Sequence, residues 1–174
     1  MKRILVTGAT GGLGRNAVQA LLQKCVQVRA SGRNVETGKT LAAAGAEFVA
    51  LDLATAMSAQ LDDLVRGVDA VWHCAALSSP WGAAADFVAA NVTVTQRLLQ
   101  AAGQNGVTHF IHVSTPALYF DYTNRFDVKE SFRPRSYVNA YARTKAQAEA
   151  CVQDAVWKFP RMHCIVLRPR AIFG

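Results

Sequence analysis

RILVTGATGGLGRN, residues 3–16, decides the fold. It opens on an apolar run of strand length, passes through a cluster of glycines, and enters Gly14–Lys24, where apolar residues recur at helical spacing. Gly8, Gly11 and Gly14 fall in the turn between the two patterns. At these places glycine permits a tight turn (Gly8), close backbone approach to a pyrophosphate (Gly11) and close packing of helix on strand (Gly14). The unbonded N–H groups and the positive end of the helix dipole then suit phosphate oxygens. Gly8, Thr10, Gly11, Gly12, Leu13 and Gly14 are therefore the expected cofactor-binding residues of this stretch.

Outward from that turn, short strand-like runs alternate with alanine- and leucine-rich helical stretches. VQVRA (26–30), EFVAL (47–51), DAVWHCAA (69–76), VTHFIHVS (107–114) and MHCIVLRP (162–169) read as further strands. Helical patterns cover 35–45, 58–67, 84–104 and roughly 137–157. About six strands, each joined to the next by a crossover, predict an α/β fold: a Rossmann-like, doubly wound parallel sheet with helices on both faces. The stretch from Thr115 to Ser136 carries no clear periodicity, and loops of that length in compact domains are often functional.

A content of 51% hydrophobic and 18% charged residues excludes a disordered chain. The net charge of +7 comes from scattered basic residues rather than a cluster, so an anionic cofactor explains it better than nucleic acid. Cys25, Cys74, Cys151 and Cys164 have no C-x-x-C spacing and are expected as reduced, buried thiols in a cytoplasmic protein. The apolar run before Gly8 is too short for a signal peptide core, and no stretch approaches the roughly eighteen apolar residues of a membrane helix.

A dinucleotide fold that takes NAD usually places an acid at the end of its second strand, about 20 residues past the glycines. Here that position falls on Ser31 or Gly32, and Arg33 follows. An arginine there pairs with a ribose 2′-phosphate, which favours NADP over NAD.

Late in the chain, Tyr141 and Lys145 stand four residues apart in a helical stretch and share one face. A lysine held beside a tyrosine favours the phenolate and makes a usable general acid/base. Thr7–Gly14 (T-G-x-x-G-x-x-G) together with this Y-x-x-x-K resembles the extended short-chain dehydrogenase/reductase, or NAD(P)-dependent epimerase/dehydratase, family. Intermediate marks agree: Asp52-Leu53 after the third strand, His73–Ala76 as H-x-A-A, Asn91 in N-x-x-x-T, VSTPALY at 113–119 and LRPRAIFG at 167–174.

The resemblance implies that Tyr141 exchanges a proton with substrate, that Lys145 holds the nicotinamide ribose, and that Thr115, rather than Ser114, orients the substrate oxygen. It further implies cofactor contacts at Asp52, Leu53, Ala75, Ala76, Tyr141 and Lys145, and a supporting role near the site for Asn91. VSTPALYF and NAYARTKAQAEACV are most similar to the 3β-hydroxysteroid dehydrogenase-like and dihydroflavonol reductase-like branches, which interconvert secondary alcohols and ketones on small-molecule substrates. Two alternatives stay open: a nucleotide-sugar epimerase or dehydratase, and a non-catalytic NADP-binding redox sensor.

His73, His109, His112 and Trp72 are expected in the core, with no metal site; Trp81 either lines the cleft or caps the sheet. The chain, 1–174, is expected to be the dinucleotide-binding part of a longer protein, because extended members continue into a substrate-binding domain and the sheet edge and cleft would otherwise be open to water; Phe173 stands where they have tyrosine. A homodimer through the helices of Asn91 and Tyr141 is a further implication; no nucleic-acid or membrane partner is expected.

Overall fold

The computed structural model describes residues 2–172; Phe173 and Gly174, part of the expected family ending, lie outside them. Six strands form one sheet: β1 (Arg3–Thr7), β2 (Gln27–Gly32), β3 (Glu47–Ala50), β4 (Ala70–His73), β5 (His109–Val113) and β6 (His163–Leu167). Every pairing is parallel and the order is β3-β2-β1-β4-β5-β6. That order reverses direction between β1 and β4, which opens a crevice at the carboxyl ends of the strands.

The helices are α1 (Gly12–Gln23), α2 (Val35–Ala43), α3 (Ser58–Val65), α4 (Ala84–Phe87), α5 (Val94–Gln104) and α6 (Ala140–Lys158). Two starts are set by asparagine caps, whose short amides satisfy otherwise free N–H groups: Asn34 accepts from Thr37 N at 2.9 Å and Asn139 from Ala142 N at 2.8 Å. Among the described residues no helix is long and apolar enough to cross a membrane.

Alternation along the strands divides the apolar residues between two layers. Leu5, Val71 and Phe110 pack with Leu61, Leu98, Leu99 and Val152 beneath α3, α5 and α6. Val6, Val28 and Ala30 pack with Ala17, Val18 and Leu41 beneath α1 and α2. This second layer ends before the far strands, where Ile165 and Leu167 of β6 remain 47% and 42% exposed.

Arg29 has a use its sequence context does not announce. Buried in β2, it donates to the carbonyls of Leu64 (2.8 Å) and Arg66 (2.9 Å) and to Glu47 (2.9 Å). A cation thus meets the negative end of α3 and its unpaired carbonyls.

Candidate active site

The glycine turn is built by close contact. Gly8 has φ +65°, and a Cβ there would lie 2.7 Å from Ala75 N; a Cβ on Gly14 would lie 2.2 Å from Gly8 O. Both distances are far inside van der Waals contact, so α1 reaches this close to β1 and β4 only without side chains. The first N–H groups of α1 have no acceptor within the helix, and Gly11, directly before that helix, lines the adjoining cleft.

A cleft of about 650 Å³ lies against the turn. Its walls include Gly8, Thr10 and Gly11 from the turn, and Asp52, Leu53, Ala75 and Ala76 from the ends of β3 and β4. Arg33 lines it as well. Gly12, Leu13 and Gly14 form the first turn of α1 beside this cleft rather than its wall, and Tyr141, Lys145 and Thr115 are not part of the wall either.

At the end of β2 the missing acid has a steric counterpart. A Cβ on Gly32 would lie 2.6 Å from Thr10 Oγ1, so the Thr10 side chain fills the space an acid at that position would need. The Arg33 side chain is 78% exposed and approaches Asp52 at 3.9 Å, leaving its guanidinium available to an anion. Ser31 Oγ, also on the cleft wall, is buried with no hydrogen-bond partner among the described residues. Sequence reading missed the Thr10–Gly32 contact, since nothing local links the two positions.

On the α5/α6 side of the sheet, one register row is polar. Thr7, His73 and His112 lie side by side on β1, β4 and β5, one step beyond the apolar Leu5, Val71 and Phe110. Thr7 Oγ1 meets His73 Nδ1 at 2.7 Å, and His73 Nε2 meets Thr95 Oγ1 of α5 at 3.0 Å. His112 Nε2 meets the Lys145 ammonium at 3.0 Å, and Lys145 also donates to Val113 O at 2.6 Å. The two imidazoles are 5.4 Å apart. Lys145 is 1% exposed, and burial lowers its pKa to about 8 against the opposing pull of Glu149 and Cys74. Burial first, and the Lys145 charge second, hold His73 down at about 3 and His112 well below the usual histidine range. Both rings are therefore neutral at physiological pH.

The Tyr141–Lys145 helix is tied to this row by further polar contacts. Asn91 accepts from Leu77 N at 2.7 Å and donates to Leu77 O and to Thr144 Oγ1, each at 3.1 Å. It thereby joins the loop after β4 to α6. Asn91 sits in a π-helical segment, Val88–Thr93, where the expected single long helix carries a bulge between α4 and α5. Such bulges re-aim side chains and occur often at functional sites.

Glu149, one turn after Lys145, is buried and pairs with Arg168 after β6 at 2.5 Å. Burial pushes its carboxyl up, but hydrogen bonding from Arg168 and the charges of Arg168 and Arg133 prevail and hold it below the usual range. Arg168 also bonds the Tyr119 hydroxyl and Glu130 O, which fastens the long loop to α6.

Tyr141 is half-buried one turn before Lys145, and Thr115 lies two residues past the end of β5, its Oγ1 accepting from Ala117 N at 3.2 Å. Among the described residues Tyr141, Lys145 and Thr115 share no hydrogen bond; the ammonium is taken up by His112 and Val113 O. Several expectations need correction. His109 is exposed, its ring tilted against that of His163 at the start of β5, because period-two alternation turns it away from His112. His112 is buried, but as the partner of a lysine rather than as packing. Trp72 does pack against the apolar layer beneath α1 and α2, half-buried, and Trp81 is 80% exposed. Cys25 is exposed and the other three free thiols are half-buried.

Comparison with known proteins now bears on the whole stretch. The profile of the NAD dependent epimerase/dehydratase family matches residues 4–174. The chain belongs to that family. The uncharacterised protein YbjS of Escherichia coli K12 is 47% identical over 99% of this chain and 51% of its own length. A 4-hydroxy-2-methyl-3-oxo-4-farnesyl-3,4-dihydroquinoline-1-oxide ketoreductase of Stigmatella aurantiaca is 36% identical over 99% of this chain and 51% of its own. Among solved family structures, UDP-glucuronic acid 4-epimerase from Bacillus cereus, in complex with NAD, superposes with a TM-score of 0.86 at 27% identity, covering 99% of this chain and 57% of that one. The chain spans about half the length of the curated relatives it matches.

Proposed function

We propose that this chain carries the cofactor-binding half and the catalytic side chains of an NAD(P)-dependent oxidoreductase that interconverts a secondary alcohol and a ketone. One observation supports the reading above the others. The Lys145 ammonium reaches Val113 O at 2.6 Å, which brings the Tyr141–Lys145 face of α6 to the end of β5, two residues before Thr115. Tyr141 gives a proton to the ketone oxygen in reduction and takes it from the alcohol in oxidation. Lys145, cationic at neutral pH, favours the phenolate and offers an N–H to the ribose of the bound cofactor. Thr115 Oγ accepts from Ala117 N, so its own hydrogen is free to orient the substrate oxygen. The nicotinamide, when bound, gives or takes the hydride.

The cofactor is read as NADP in preference to NAD. An exposed Arg33 at the end of β2 and the Thr10 side chain in the place of an acid both support this. The orphaned Ser31 Oγ and the side-chain-free cradle at Gly8 and Gly14 fit a dinucleotide. A second reading, a nucleotide-sugar epimerase, draws on the family structure from B. cereus and would use the same Tyr141, Lys145 and Thr115 with transient hydride transfer. Titrating the protein with NADPH and NADH by tryptophan fluorescence separates the two. NADPH binding roughly tenfold tighter than NADH, lost in Arg33→Ala, is expected for the charge-assisted pair. A preference for NADH would overturn the NADP reading and favour the epimerase; absence of binding by either would overturn the cofactor site itself.

A further inference from the structure

The histidines of the polar row have no part in the chemistry proposed above, yet one of them holds its central cation. Their tautomers follow from the network. Thr95 Oγ1 gives its hydrogen to Asn91 O at 2.7 Å, so it can only accept from His73 Nε2, and His73 Nδ1 accepts from Thr7. Lys145 has only hydrogens to give, so His112 Nε2 is an acceptor and the ring proton resides on Nδ1, which is buried without a partner among the described residues.

We propose that His112 is a positioning residue for Lys145: its Nε2 accepts one ammonium N–H while Val113 O accepts another, and the remaining N–H is thereby aimed at the cofactor side of the site. An ammonium is a rotor with three donors on a flexible four-carbon stem. One acceptor leaves it free to turn; two acceptors, at 3.0 and 2.6 Å, fix the rotor and with it the direction of the third donor. The groups facing Lys145 are His112 from β5, His73 from β4, Cys74 from the following loop and Glu149 from its own helix. Of the first three, only His112 has a hydrogen bond to the ammonium.

The aim of the third donor rests on the cofactor reading above; the His112 contact itself does not, and the experiment keeps them apart. In protein carrying ¹³Cε-lysine, the resonance of Lys145 is followed against pH in the absence of cofactor. The wild-type midpoint is expected at about 8. His112→Phe, which removes the acceptor, is expected to lower it by about one to two pH units, and His112→Gln, which keeps an acceptor, to restore most of the shift. An unchanged midpoint in a natively folded His112→Phe overturns the proposal. Should that variant not fold, ¹⁵N shifts of wild-type His112 decide: the Nδ1–H tautomer is expected, and an Nε2–H tautomer, unable to accept from Lys145, overturns it. NADPH affinity in His112→Phe is read separately and is expected to fall roughly tenfold. Unchanged affinity beside a shifted Lys145 midpoint would overturn the aiming of the third donor alone. Wild-type protein that binds neither nucleotide would sink the cofactor reading and leave the lysine result standing.

Discussion

The β1–β3 side of the sheet and the β4–β6 side solve different problems. Around β1, β2 and β3 both faces are covered by aliphatic layers, and the candidate phosphate site is made of backbone, a turn from which side chains have been removed. Around β4 and β5 the candidate chemistry is made of side chains, drawn from three strands and two helices into the row Thr7, His73, His112, Lys145 and Thr95, with Thr7 supplied by the neighbouring β1. A backbone site needs little more than space, so it rides on an apolar core. A side-chain site brings polar atoms into the interior, where each needs a partner or costs about 1–3 kcal/mol. His73 and Lys145 each have two partners, while His112 Nδ1 has none among the described residues. Stability and the candidate site thus share close backbone packing on the first side and paired polar side chains on the second.

Three experiments bear on that contrast. Tyr141→Phe removes a proton donor and little volume from the second side; turnover should fall roughly a thousandfold, about 4 kcal/mol, while NADPH affinity stays within about twofold. Steady-state kinetics beside a binding titration would show it, and unchanged turnover would remove Tyr141 from the mechanism. Gly14→Ala strikes the first side. With a Cβ 2.2 Å from Gly8 O something must shift, and a loss of about 2–4 kcal/mol of stability should accompany loss of cofactor binding. Denaturant unfolding with and without NADPH measures both; full stability would mean that the turn relaxes more easily than its packing implies.

Per pH unit, the smallest effect is the acid response of the second side. His73 and His112 stay neutral in the fold but take up protons in the unfolded chain below about pH 6.5. The unfolded state therefore binds more protons as pH falls through that value, and stability declines by about 1.4 kcal/mol per pH unit for each histidine. For His73 this continues down to about pH 3. Replacing His73 with Asn should flatten the slope of unfolding free energy between pH 6 and 4 by about one proton's worth. An unchanged slope would mean that this ring titrates in the fold.

The elements of the fold were legible because periodicity and turn chemistry are local. RILVT, EFVAL and the helix at 84–104 fall within a few residues of their observed places. The π bulge at Val88–Thr93 was not, since one extra residue in a helical turn leaves the apolar spacing looking helical. In the candidate site, motif and resemblance pick out Gly8, Thr10, Gly11, Arg33, Asp52, Leu53, Ala75 and Ala76, and these residues line one cleft. The role of His112 was invisible: its partner Lys145 is 33 residues away, on an element whose rotation about its own axis no local pattern reports.

By itself the sequence determined the alternation of strands and helices, the glycine turn, the absence of an acid after the second strand, and a tyrosine and lysine on one helical face. Each depends on residues within a turn or a strand of one another. The tertiary structure alone decided that Thr10 occupies the missing acid's space, that Arg29 closes the end of α3, and that His112 rather than Tyr141 receives the Lys145 ammonium. Those outcomes depend on strand register and on how α6 lies across the sheet, which are set by the packing of the whole chain.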